Sequence, residues 1–108
     1  MILINLCRDP RVEHVAREQQ DMLATLAAFG LPLSLVFSGA AVSQLNTSKG
    51  DEDLLSMLPS FGVSDIYVDA VSLLEANLDI ASARIPCRAI SDDALKALCK
   101  LAQHAVNI

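Results

Sequence analysis

The chain has 108 residues, which suits one domain spanning 1–108 around one modest core. Apolar residues make up 53% of it and aromatic residues only 4%, which excludes a disordered chain and favours a Val/Ile-rich parallel sheet under Leu/Ala helices. The formal net charge is −5 and there is no basic run, so we expect no direct nucleic-acid contact.

The chain opens on an apolar run, 1–7, which predicts a buried strand that ends at turn residues 9–10. Residues 11–30 have apolar side chains at helical spacing and predict an amphipathic helix. Gly30 is suited to the left-handed backbone that often follows a helix. The next apolar run, 31–37, predicts a second buried strand.

The middle of the chain predicts two short helices on either side of a polar loop. Ser38 is a favourable N-cap for the first helix, over 38–45. The polar, glycine-containing stretch 46–53 predicts a mobile surface loop. Residues 54–62 predict the second short helix, which ends at a glycine.

Residues 64–79 predict a strand that runs directly into a helix, with Asp69 at the junction. In an open α/β sheet such junctions gather working residues. An aspartate there also accepts hydrogen bonds from the first-turn N–H groups and faces the positive end of the helix. We therefore interpret Asp69 as an N-cap.

The last third of the chain predicts a strand over 83–90, a helix over 91–103 and a short strand over 104–108. Pro86 removes a ladder donor, which favours an edge or a strand start there. Ser91 is the expected N-cap of the helix. The alternation of strands and helices predicts an α/β/α fold with a mainly parallel sheet of four or five strands.

Several functional classes are disfavoured. There is no glycine-rich phosphate loop, and no histidine or cysteine spacing typical of a metal site, so we expect neither a metal nor a cofactor. His14 and His104 are interpreted as surface histidines. Residues 22–48 carry no charge, but glycine, proline and polar residues interrupt them, so we expect no membrane span.

The three cysteines are widely spaced and form no C-x-x-C pair, which argues against a disulfide framework and fits a reducing cytoplasm. We expect Cys99 to be buried on the apolar face of its helix and Cys87 to pack within the sheet. Cys7 ends the first strand beside Arg8, and a nearby cation lowers a thiol pKa. Two interpretations remain for Cys7: a thiol that packs in the core, or a functional thiol in the crevice at the end of the sheet.

Three stretches, 17–45, 61–79 and 90–108, together with the opening strand, resemble the DsrE/DsrF/TusC family of small sulfur-relay proteins, and the TusC/DsrF branch most closely. The resemblance lies in pattern and order. It implies a three-layer α/β/α fold and a cytoplasmic hetero-oligomer of DsrE-, DsrF- and DsrH-type subunits. Such a complex passes persulfide sulfur toward 2-thiouridine in tRNA or within sulfur oxidation.

The resemblance also implies that the working cysteine belongs to the DsrE-type subunit, on the segment after the third strand, where TusC-like chains can carry a cysteine too. Asp69 occupies that position in this chain. The family's loop after strand one is replaced by residues 7–11. We therefore expect an accessory, non-catalytic subunit, with Arg8, Ser38 and Gly39 lining the crevice. The alternatives are a sulfur carrier that works through Cys7, and a stand-alone homo-oligomeric binding protein.

Overall fold

A computed structural model describes residues 1–9, 11–12, 15–45, 57–63, 65–83 and 85–108. In these ranges five strands form one parallel sheet in the order β4-β3-β2-β1-β5. The strands are β1 Ile2–Leu6, β2 Leu33–Phe37, β3 Asp65–Asp69, β4 Arg88–Ile90 and β5 His104–Asn107. The helices are α1 Val15–Ala28, α2 Ala70–Glu75 and α3 Asp92–Leu101, with 3-10 helices at Gly39–Leu45, Leu58–Phe61 and Ile80–Ser82.

The strand order explains how the helices are distributed over the two faces. Strands β1 to β4 follow one another across the sheet in one direction, and the chain then returns through α3 to place β5 beside β1. Right-handed crossovers put connections that run in opposite directions on opposite faces. The described segments between β1 and β4 therefore share one face, and α3 is the one helix of the described residues that packs on the other.

The first face holds the main core. Ile4, Leu35 and Ile66 are aligned across three strands and are at most 1% exposed. They pack beneath Leu23 of α1 and Val42 of the first 3-10 helix. The second face holds a smaller cluster. Its buried members are Leu3, Val36 and Ile90, and the partly buried α3 residues that pack on it are Leu95, Leu98 and Ala102.

The predicted α/β/α fold with a mainly parallel sheet of four or five strands is confirmed, and the sheet of the described residues has five strands, all parallel. The predicted helix ends are confirmed at Gly30, which has φ +73°, and at Ser91, whose side chain accepts from the Ala94 N–H at 3.2 Å. None of the helices in the described ranges is long and apolar enough to cross a membrane. His14 and the predicted loop 46–53 lie outside the described residues.

Two elements differ from the prediction. The fourth strand begins at Arg88 rather than at 83, because Ile85 leaves the sheet edge to insert into the main core and Cys87 packs against that core. The segment after Ser38 is a 3-10 helix that starts at Gly39 with φ +56°, a backbone outside the α region.

Candidate functional site

The three adjacent strands β1, β2 and β3 end at the same height in the sheet. Leu6 pairs with Phe37 in register, and Phe37 pairs with Val68. The next residue on each strand is Cys7, Ser38 and Asp69, respectively. Neighbouring strands lie about 4.8 Å apart, so the backbones of Cys7 and Asp69 are separated by about 10 Å, with Ser38 between them. Three of the predicted site residues, Cys7, Ser38 and Asp69, are thus brought to one row, and the other two, Arg8 and Gly39, follow Cys7 and Ser38 in the chain.

Asp69 caps α2, as predicted. Its Oδ2 accepts hydrogen bonds from the Ser72 backbone N–H at 3.1 Å and from the Ser72 hydroxyl at 2.7 Å. The Ser72 hydroxyl in turn accepts from the Gly39 N–H at 2.8 Å. One chain of hydrogen bonds therefore joins the end of β2 to the junction between β3 and α2.

The turn after β2 is held against the end of β1. The Ser38 N–H donates to the Leu6 carbonyl at 2.9 Å, and the Ser38 hydroxyl donates to Asn5 Oδ1 at 2.9 Å. A Cβ on Gly39 would lie 3.7 Å from the Cys7 carbonyl oxygen, which leaves room for an atom, but the φ of +56° there favours glycine. Ser38 and Gly39 thus fix the approach of the two strand ends.

A groove of about 420 Å³ lies beside this row, between the β1–α1 connection and α2. Its lining residues are Arg11, Gly39, Ala40, Ser43, Ser72, Glu75 and Ala76. The Arg11 side chain donates hydrogen bonds to both carboxylate oxygens of Asp9, from Nε to Oδ1 at 3.0 Å and from Nη2 to Oδ2 at 2.9 Å. Hydrogen bonds from the Arg11 side chain lower the pKa of Asp9. This exposed ion pair lies at the start of the connection that follows Cys7.

The three cysteines lie in different environments. Cys7 is exposed at the carboxyl edge, followed by the exposed Arg8. Cys87 is half-buried, and this burial raises the pKa of its thiol, which disfavours the thiolate. Cys99 is exposed, so its predicted burial is wrong: α3 has one sheet face beneath it and no second layer among the described residues.

Metal chemistry gains no support from this arrangement. Within the described ranges, no three His, Cys, Asp or Glu side chains are grouped so that they could hold a metal ion. His104 is exposed on the edge strand β5. What the edge offers instead is one exposed thiol, one fixed carboxylate and a set of backbone and hydroxyl donors.

Two members of the site were missed in the sequence. Ser72, which is 8% exposed, links Gly39 to Asp69, and Asn5 receives the Ser38 hydroxyl. A signal for Ser72 was present, since a polar residue three positions after an N-cap often bonds back to it. Asn5 offered the weaker signal of one amide within an otherwise apolar strand.

Comparison with known proteins places this geometry among relatives. No family model matches the chain. A curated protein of Pseudomonas aeruginosa, named Protein TusC homolog, is 30% identical over 101 residues, which cover 86% of this chain and 85% of the relative. The crystal structure of the ychN protein from E. coli superposes with a TM-score of 0.82 at 15% identity, covering 99% of this chain and 97% of that one. The second likeness supports the fold.

Proposed function

Because this chain belongs to the TusC branch of the DsrE/DsrF-like family, we propose that it is an accessory, non-catalytic subunit of a sulfur-relay complex. In this role the chain shapes and holds the assembly, and a thiol on another subunit carries the persulfide. The proposal extends to the whole chain 1–108 acting as a single domain.

The proposal rests on the position of Asp69 and on its hydrogen bonds. The carboxylate stands where β3 meets α2, the junction at which the family resemblance implies a working cysteine. It accepts two hydrogen bonds from Ser72, so it is committed to capping the helix. A carboxylate cannot form a persulfide, which needs a thiolate sulfur as nucleophile. The junction therefore supports a structural role.

Cys7 supports a second candidate, a sulfur carrier in its own right. Its thiol is exposed and lies in the same row as Asp69, about 10 Å away by strand spacing. Arg8 follows it in the chain and is exposed as well. An exposed thiol at the carboxyl edge of the sheet meets the requirement of access, and the reactivity of that thiol decides between the two candidates.

The partners in this proposal are DsrE-like and DsrH-like subunits, and the sulfur goes to 2-thiouridine in tRNA or to sulfur oxidation. The net charge of −5 supports a protein partner over direct contact with RNA. Three free cysteines support a cytoplasmic location, where thiols stay reduced.

Co-purification tests the proposal. The tagged chain is co-expressed with DsrE-type and DsrH-type subunits, and the same is done for its Asp69→Asn and Cys7→Ser variants. We expect all three versions to retain both partners in stoichiometric amounts, since the proposed role needs neither group as a nucleophile. A wild-type chain that elutes with neither partner would overturn the accessory role.

A further inference from the structure

We draw no further inference here: the strongest candidate, the open apolar groove between Leu98 and Leu101 of helix α3 and the edge strand β4, carries none because nothing in the structure shows what covers it.

Discussion

The Ser72 hydroxyl donates a 2.7 Å hydrogen bond to Asp69 Oδ2 while it accepts one from the Gly39 backbone N–H. Ser72 is therefore the point at which the end of β2 and the junction between β3 and α2 are joined. The same contact explains how a carboxylate at this junction stabilises the fold.

Removal of the Asp69 carboxylate should destabilise the fold. We expect Asp69→Ala to lower the free energy of unfolding by about 0.5–2 kcal/mol, because an N-cap is lost. Asp69→Asn keeps a side chain that caps well and should retain most of the stability. Urea unfolding of the three proteins measures this, and equal losses in both variants would contradict the capping role.

The Ser72 hydroxyl should matter more than an exposed serine hydroxyl nearby. Ser72→Ala leaves the Gly39 N–H without its partner, which we expect to cost about 1–3 kcal/mol. Ser43→Ala removes an exposed hydroxyl that donates to the Ala40 carbonyl one turn back, and should change stability by about 0.5 kcal/mol or less. Denaturant melts that show the two variants to be alike would refute the linking role.

Cys87 should be the slowest of the three thiols to alkylate near neutral pH. Burial raises the pKa of the Cys87 thiol, which makes its thiolate scarcer, and the same burial limits access of the reagent, whereas Cys7 and Cys99 are exposed. The raised pKa has a consequence for stability as well. Its contribution is complete below the pKa of the unfolded thiol and is lost as the pH rises through the folded value.

The alkylation rates of the three cysteines are compared by iodoacetamide labelling and peptide mass spectrometry. The measurement is repeated from pH 7 upward. Faster labelling of Cys87 than of Cys7 at neutral pH would contradict the burial that raises its pKa. A Cys87→Ser variant, in turn, should lose the part of the alkaline fall in stability that this thiol causes.

The sequence predicted those features that depend on neighbours along the chain. Asp69 and Ser91 are caps because each precedes a helical segment, and the bonds that they accept come from the first helical turn. Cys7, Ser38 and Asp69 were placed at strand ends, and parallel pairing then put those ends in one row.

The sequence could not supply features that depend on distant parts of the fold. The apolar spacing of α3 predicted a buried Cys99, but Leu95, Leu98 and Ala102 are the α3 residues that pack on the sheet, and among the described residues no second layer covers the rest of the helix. The late start of the fourth strand, at Arg88, depends on the main core, which takes up Ile85. The role of Ser72 required Gly39, 33 positions away in the chain.

A cysteine placed at the junction should acquire the chemistry that Asp69 lacks. We expect Asp69→Cys to accept sulfane sulfur from a persulfide donor at position 69, because a thiol at a helix N-terminus has a lowered pKa. Intact-mass and peptide mass spectrometry count the added sulfur atoms, in a Cys7→Ser/Cys99→Ser background that removes the exposed native thiols. An inert Asp69→Cys would argue that the junction is closed to sulfur donors.

The most direct test of the accessory role is the rate of sulfur transfer through the reconstituted complex when this chain has no cysteine. A Cys7→Ser/Cys87→Ser/Cys99→Ser variant is assembled with DsrE-type and DsrH-type subunits, and transfer of labelled sulfur to the acceptor is followed beside the wild-type complex. The account predicts the same rate for both, since no thiol of this chain carries persulfide. A complex that assembles fully but loses transfer, and regains it when Cys7 alone is restored, would contradict the accessory role and establish Cys7 as the carrier.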